Sequence, residues 1–410
     1  MNGQPTVAPF TWRERELMRT PATWVFVLLL VVGAWRIGRM FWAPTMAYPI
    51  ATVVSIVLFT VYAVPFLIFI TNVDFLEPEP KPLLAAAFGW GGLVAVATAV
   101  PGNAAVESLL SKVTSPAFAA QWGAALAAPT IEEPVKFLGI VMIALIAWKQ
   151  INSVVDGIVY GAVVGLGFQV VEDVQYAVNT VQAESSGDRL QPVLTTFIAR
   201  GFVSGLWSHT VFTAFAGAGV AYAVLPPHRA VPRRVGVAAL GLASAWLCHF
   251  TWNSPLLTDG LSQLAELTAK GIPPLVLALA LTQAAGNWEG AYYIERLQMV
   301  GDDAIASQDD LTDLRSRGGR AAASHRARQQ VGWAWWRLWR AGRAWRATIG
   351  VRRVQRALAV LAVALSRSHD DLTDADVVAA LGDLMAAKRR LAAIMATDGS
   401  HDHRKTVPPR

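Results

Sequence analysis

Residues 154–174 read VVDGIVYGAVVGLGFQVVEDV, and this stretch indicates the fold class of the chain. It is apolar over most of its length and ends in the acidic pair Glu172 and Asp173. A membrane-spanning helix needs about 20 mostly apolar residues, which this stretch supplies. Glycine recurs at every fourth position, at Gly157, Gly161 and Gly165. Because that spacing lets helix backbones approach closely in lipid, the stretch predicts a tightly packed membrane helix.

The composition of the chain indicates that the apolar character of residues 154–174 is shared by most of the sequence. Of 410 residues, 54% are hydrophobic and only 16% are charged, whereas globular chains carry about 25% charged residues. Residues 1–294 hold 15 Lys or Arg and 16 Asp or Glu, and residues 295–410 hold 20 and 13. A soluble body with so few charges has too little polar surface to cover itself. The composition therefore excludes a simple soluble enzyme and predicts an apolar body with a basic tail.

Eight apolar segments are candidates for membrane-spanning helices. They are residues 21–42, 49–71, 83–101, 118–148, 154–178, 195–225, 236–257 and 272–293. The fourth contains Pro129 and Pro134, so we expect a separate or re-entrant piece followed by a helix that begins near Thr130. The prediction is an all-α fold: a polytopic membrane helix bundle of about eight spans with a C-terminal soluble helical tail.

The predicted organisation places both termini in the cytoplasm. With that orientation the inside segments carry eight Lys or Arg residues and the outside segments five, in agreement with the positive-inside rule. The expected divisions are a cytoplasmic N-terminal segment at 1–20, a membrane-embedded domain at 21–294, a linker at 295–330, a basic helical cytoplasmic tail at 331–395 and a disordered end at 396–410.

Ionisable residues within the apolar segments are the candidate functional groups, because each costs about 2.5–3.5 kcal/mol in hydrocarbon. They form four clusters, which are Glu132-Glu133-x-x-Lys136, Glu172, His209, and His249-x-x-x-Asn253. If the spans alternate, all four clusters lie in the same half of the membrane. Together they would supply a base, hydrogen-bonding partners and an oxyanion donor in one polar cavity.

Each cluster also has a purely structural explanation, which for Glu172 is an acidic residue at the interfacial end of a helix. Thr130 is a candidate N-cap with Glu133 three residues later, which fits a capping box. Lys136 follows Glu132 by four residues, so the two can pair on one helix face. A lone histidine such as His209 is often a satisfied structural residue, and His249 and Asn253 suit helix–helix hydrogen bonds in lipid.

In this order the four segments resemble the PrsW family of intramembrane proteases, which is similar to the CAAX-endopeptidase and bacteriocin-processing superfamily. The matching residues are Glu132-Glu133-x-x-Lys136, Phe168-x-x-x-Glu172, His209 with the following Thr-x-Phe-Thr-Ala-Phe, His249-x-x-x-Asn253 and the loop Glu77-Pro78-Glu79-Pro80. The resemblance covers roughly residues 65–295. It implies hydrolysis of a peptide bond of a membrane-associated protein, such as an anti-sigma factor, in the cytoplasmic membrane of a bacterium.

The resemblance also implies residue roles. Glu132 and Glu133 would activate water, His209, Glu172 and His249 would complete the site, and Asn253 would stabilise the oxyanion, with Lys136 and Phe168 in support. Glu172 stands where the CAAX branch has His, and Lys136 replaces a later Arg, so prenyl-protein processing is the less expected branch.

We expect no cofactor. The alternative is zinc held by His209, His249 and Glu172 with a position open for water. The chain has no His-Glu-x-x-His element, which favours glutamate-activated water.

The sequence also leaves two non-protease functions open. Intramembrane Glu and His residues also form proton relays in transporters and channels, and a non-catalytic scaffold could bind membrane segments.

In the tail, tryptophan and arginine alternate over residues 331–348, at Trp333, Trp335, Trp336, Arg337, Trp339, Arg340, Arg343, Trp345 and Arg346. This pattern predicts an interfacial helix on anionic lipid. Nucleic acid is not an expected partner, because no recognition motif accompanies the charge.

Overall fold

The computed structural model describes residues 19–73, 79–184, 187–204, 207–225, 230–257, 262–331, 338–368 and 370–396. Within these ranges the regular structure is helical and contains no strand, so the predicted all-α fold is confirmed. The described chain divides into two compact units, and the division falls between Thr282 and Gln283.

The first unit contains eight helices and the beginning of a ninth. They are α1 (Pro21–Ala47), α2 (Pro49–Thr71), α3 (Lys81–Val113, with a π-helical part at Trp90–Ala95), α4 (Pro116–Ile146), α5 (Val154–Glu184), α6 (Leu190–Ile198, followed by a π-helical turn at Ala199–Ser204), α7 (Ser208–Val224), α8 (Val231–Asn253) and α9 (Gln263–Val300) up to Thr282.

Six of the described helices are long and apolar enough to cross a bilayer, namely α1, α2, α3, α5, α8 and α9. Two of the eight predicted spans differ from this set. The segment 118–148 lies in α4, where buried Glu132, Glu133 and Lys136 reduce the apolar character. The segment 195–225 is not one helix, because the backbone leaves the helical conformation at Trp207 before α7 begins.

Helix α4 runs without interruption through Pro129 and Pro134. The predicted helix start near Thr130 is therefore wrong. The helix begins at Pro116, where the Ser115 hydroxyl accepts a hydrogen bond from the Phe118 N–H at 3.1 Å, as expected of an N-cap. The Thr130 hydroxyl instead accepts a hydrogen bond from Trp246 Nε1 on α8 at 3.2 Å. Neighbouring helices make such prolines tolerable in a membrane bundle.

Helix α5 forms the centre of the first unit and packs against α2, α3 and α7. The predicted close packing along its glycine face is confirmed. A Cβ atom at Gly161 would lie 2.3 Å from the Thr213 carbonyl oxygen of α7, and one at Gly165 would lie 2.2 Å from that of His209. Only glycine allows α7 to approach this closely, so Gly165 determines how near His209 stands to α5.

The second unit contains the rest of α9 and four further helices. These are α10 (Gln308–Leu314), α11 (Arg317–Gln330), α12 (Leu338–Arg367) and α13 (Ala375–Ala396). Its core includes Leu297, Leu311, Leu314, Leu358 and Leu384. Helices α10 and α11 lie within the predicted linker at 295–330. A capping box formed by Ser307 and Asp310 starts α10, and burial of Leu311 and Leu314 stabilises it.

Some sequence predictions fall outside the described residues. They concern most of the N-terminal segment at 1–20, Trp333, Trp335, Trp336 and Arg337 of the tail, and nearly all of the predicted disordered end at 396–410.

Candidate active site

Lys136 lies at the centre of a buried polar cluster formed by α4, α5, α7 and α8. Its ammonium donates to Glu132 Oε2 at 3.1 Å, to Glu133 Oε1 at 2.9 Å and to His209 Nδ1 at 2.9 Å. An ammonium carries three N–H groups, so each has one acceptor here. The Nζ atom also lies 3.8 Å from the centroid of the Phe168 ring. Lys136 is 0% exposed, and this full complement of partners offsets the cost of burying its charge.

Glu133 is bound on one of its two carboxylate oxygens. Oε1 accepts from Lys136 Nζ and from His249 Nδ1, the latter at 2.8 Å. Oε2 is buried and has no hydrogen-bond partner among the described residues. A buried acceptor without a partner costs free energy, which a bound water or substrate proton would recover. Glu133 therefore has one oxygen free for chemistry.

Glu132 differs from Glu133 because both of its oxygens have partners. Oε1 accepts from Asn103 Nδ2 on α3 at 2.9 Å, and Oε2 accepts from Lys136. The carboxylate is 1% exposed. The two adjacent glutamates thus differ in their hydrogen bonds: both oxygens of Glu132 have a partner, and among the described residues one oxygen of Glu133 has none.

The proton positions of His209 follow from its two neighbours. Lys136 Nζ can only donate, so His209 Nδ1 accepts from it. The other ring nitrogen, Nε2, then carries the proton and donates to Glu172 Oε2 at 3.1 Å. A carboxylate behind a histidine commonly fixes its tautomer and ring orientation in this way. Glu172 therefore supports His209 from the side of the ring away from Lys136.

A metal ion has a suitable donor set in this cluster. Glu132, Glu133, His209 and His249 each offer one ligand atom, and these four atoms lie within 4.8 Å of one another. Carboxylate oxygen and imidazole nitrogen are ligands that zinc takes at about 2 Å. Lys136 Nζ contacts three of the same four residues, so a metal that used those atoms would displace the ammonium. The donor types fit a divalent metal, which would have to compete with Lys136 wherever the two use the same donor atoms.

The structure brings together seven of the residues that the sequence singled out, six of them polar. Glu132, Glu133, Lys136, Glu172, His209 and His249 are in contact, and the ring centroids of Phe168 and His209 are 4.9 Å apart. Glu172 binds His209 Nε2 and lies outside the four-residue donor set, in contrast to its predicted place among zinc ligands.

Asn253 lies one helical turn beyond His249, and its Nδ2 is 3.4 Å from the Ala124 carbonyl oxygen on α4. It is therefore not among the contacting groups described above. Its role at an oxyanion stays a prediction.

Two residues of the cluster were missed by the sequence interpretation. Arg200 donates to Glu172 Oε2 at 2.7 Å and also binds Asp173. Arg200 could have been singled out from the sequence, because it is an ionisable residue within the predicted span 195–225 and needs an acidic partner there. Asn103 lies just beyond the predicted span 83–101, and an uncharged amide in that place gave no comparable signal.

In comparisons with known proteins, one family model matches a part of the chain that includes the whole cluster. A family model described as PrsW family intramembrane metalloprotease matches residues 79–288, which is about half of the chain. Every residue of the cluster lies in that range. No curated protein and no solved structure matches the chain.

Proposed function

Because the chain belongs to the PrsW family of intramembrane metalloproteases, it is an intramembrane peptidase, and we propose that Glu133 activates the water that attacks the peptide bond. The observation that carries this proposal is the buried Glu133 Oε2 oxygen, which has no hydrogen-bond partner among the described residues. A carboxylate oxygen in that state is a suitable acceptor for a water proton. Glu132, whose oxygens are both bonded, is the less suitable base.

In the proposed reaction, Glu133 Oε2 takes a proton from water while the water oxygen bonds to the scissile carbonyl carbon. The carbon–nitrogen bond then breaks, and the proton passes from Glu133 to the departing amine. Lys136 and His249 hold the other oxygen of Glu133 and so fix the orientation of the carboxylate. We assign Asn253 as the candidate donor to the developing oxyanion.

As the alternative to this metal-free reaction, the metal implied by the family description would be held by Glu132, Glu133, His209 and His249, in place of the contacts of the first three with Lys136. A divalent ion bound there supplies a Lewis acid that polarises a carbonyl or lowers the pKa of a bound water. Zinc is our choice of metal, because the ligand set consists of carboxylate and imidazole groups.

The substrate of an intramembrane peptidase is a membrane protein within the bilayer. We propose a membrane-bound regulator of the anti-sigma-factor type, cleaved in the cytoplasmic membrane of a bacterium. We also propose that α12 contacts anionic lipid headgroups. Trp345 is 66% exposed on that helix, next to the exposed Arg346. An exposed tryptophan beside a basic side chain suits the boundary between lipid and water.

We expect Glu133→Gln to abolish hydrolysis, because the amide cannot accept the water proton. The assay uses purified protein in proteoliposomes with a transmembrane peptide that carries a fluorophore and a quencher on opposite sides of the scissile region. The rate should fall by about 10³-fold or more, which is the scale expected for loss of a catalytic base. Glu184→Gln, at the exposed end of α5, is the matched control and should keep the wild-type rate.

A wild-type rate in Glu133→Gln would refute the assignment of the base. Loss of ion or solute flux in that variant, with no cleavage by the wild type, would favour a transporter over a protease. Inhibition of cleavage by a chelator and its recovery with zinc would establish metal dependence.

A further inference from the structure

Arg200 is a charged residue of the first unit to which neither the motifs nor the proposed reaction gives a role. Its guanidinium makes three contacts with one face of α5. Nη2 donates to Glu172 Oε2 at 2.7 Å, Nε donates to Asp173, and Cζ lies 3.9 Å from the centroid of the Tyr176 ring. A forked guanidinium held by two carboxylates and an aromatic face has a single well-defined position.

The backbone that carries Arg200 is also unusual. Residues Ala199–Ser204 form a π-helical turn between α6 and the segment that leads to α7. Such turns change the direction of side chains relative to an α-helix and occur often at functional sites. The Gly201 carbonyl oxygen of the turn accepts a hydrogen bond from the Tyr62 hydroxyl on α2. The turn is thus fixed by two helices: α2 binds its backbone, and α5 binds the side chain of Arg200.

One oxygen atom links this arrangement to the candidate active site. Glu172 Oε2 accepts from Arg200 Nη2 and, at 3.1 Å, from His209 Nε2. Lys136 already requires the lone pair of His209 to be on Nδ1, so a fixed Glu172 oxygen holds the Nε2–H group and with it the orientation of the ring. Without Arg200, Glu172 would lose a charged partner that helps to hold it in this position.

We propose that Arg200 is a positioning residue that acts through Glu172 to hold the His209 ring in its orientation and to hold the hydrogen bond from its Nε2–H group. This inference rests on the proposed peptidase function. A purely structural ion pair between Arg200 and α5 makes a different prediction, because it would support the fold without acting through Glu172 on His209.

The test is a double-mutant cycle on kcat and KM with the quenched transmembrane peptide. Arg200→Met should lower kcat by about 10–100-fold, the range seen when a supporting partner of a site histidine is lost, with KM changed less than about 2-fold. Glu172→Gln should have a similar effect. The double variant should be no slower than Glu172→Gln alone, since both substitutions break one linkage. Arg200→Lys should recover part of kcat, and exposed Arg189→Met should match the wild type.

A second measurement does not depend on cleavage. In protein labelled with ¹⁵N-histidine, with the His209 signals assigned by a His209 variant, the wild type should show His209 as the Nε2–H tautomer. Arg200→Met should keep the tautomer that Lys136 imposes but weaken the hydrogen bond of the Nε2–H group, so that its proton signal moves upfield and exchanges faster with solvent. Arg200→Lys should show a smaller change of the same kind, which keeps the test available if the methionine variant does not fold.

Additive effects in the cycle, a loss confined to KM, or an unchanged Nε2–H signal would overturn the proposal for Arg200. Absence of cleavage by the wild type would instead count against the proposed function, while the Nε2–H measurement would still decide the role of Arg200.

Discussion

At the scale of single residues, Lys136 decides the charge balance of the cluster. It is the cation shared by the adjacent Glu132 and Glu133, and none of the three side chains is more than 1% exposed. Removing one partner of a buried ion pair costs about 3–5 kcal/mol, because the other charge stays buried without compensation. A metal ion bound to the same carboxylates would supply the missing positive charge.

We therefore expect Lys136→Met to lower the thermal stability of the metal-free protein and to bind zinc at least 10-fold more tightly than the wild type. The reason is that zinc no longer has to displace an ammonium from its donor atoms. Zinc titration by calorimetry, with the unfolding temperature followed in parallel, measures both effects. Equal or weaker zinc binding by the variant would show that Lys136 does not compete with the metal.

The glutamates and histidines of the cluster were accessible from the sequence, because ionisable groups are rare in apolar spans and invite a functional explanation. The distinction between Glu132 and Glu133 was not accessible. It depends on Asn103, which lies on the preceding helix α3, 29 residues earlier in the chain, and binds one oxygen of Glu132. Adjacent residues with the same chemistry can be told apart only through neighbours that the fold supplies.

At the scale of elements, the contact between α5 and α7 determines where His209 stands. The backbones meet so closely at Gly165 that a methyl group there would overlap the His209 carbonyl oxygen. Overpacking of a closely packed contact costs about 1–3 kcal/mol, since the helices must separate. Separation would lengthen the hydrogen bond between His209 on α7 and Glu172 on α5, so this glycine is expected to affect both stability and chemistry.

We expect Gly165→Ala to lower the unfolding free energy by about 1–3 kcal/mol and to reduce peptide hydrolysis by the proteoliposome assay. Gly236→Ala is the matched control, because Gly236 lies in α8 with no atom within 4 Å of an added Cβ. Alanine there should be neutral or slightly stabilising, as helix propensity favours alanine over glycine. If both variants behave like the wild type, the α5–α7 contact is not as rigid as its spacing indicates.

The helical class and the close contact of α5 with α7 were predicted from the sequence pattern. The uninterrupted course of α4 and the presence of α10 were not. Pro129 and Pro134 led to a predicted break in α4 that the bundle does not have. Packing against other helices makes a proline in a membrane helix tolerable, and local sequence does not record that packing. In the second unit, α10 is short and polar, and its stability depends on the cap at Ser307 and on two buried leucines.

At the scale of the whole molecule, a contact between one loop and the start of one helix in the first unit agrees with helices that cross the membrane in alternating directions. The carboxylate of Asp188, in the loop after α5, accepts hydrogen bonds from the backbone N–H groups of Ile50 and Ala51, both at 2.8 Å. The loop after α5 and the start of α2 therefore lie at one end of the bundle. The sequence rule assigns both to the non-cytoplasmic side.

We expect both termini to be cytoplasmic, and thiol labelling can test this because Cys248 is the sole cysteine. In a Cys248→Ala background, Thr114→Cys, between α3 and α4, should react with a membrane-impermeant maleimide in intact cells. Asp303→Cys, after α9, should react only once the membrane is permeabilised. Cys248→Ala alone is the background control, and the reverse labelling pattern would invert the topology.

In the proposed mechanism, the buried position of the Glu133 oxygen would also limit which substrates can be cut. A transmembrane segment arrives as a helix whose carbonyl groups are bonded four residues along and shielded by side chains. To bring a carbonyl carbon to Glu133, the segment must unwind locally, and in hydrocarbon each exposed backbone group costs several kcal/mol. Residues that already weaken a helix, such as glycine and proline, reduce that cost. Cleavage should therefore concentrate where the substrate helix is intrinsically unstable, so that sequence preference is largely a preference for local backbone flexibility.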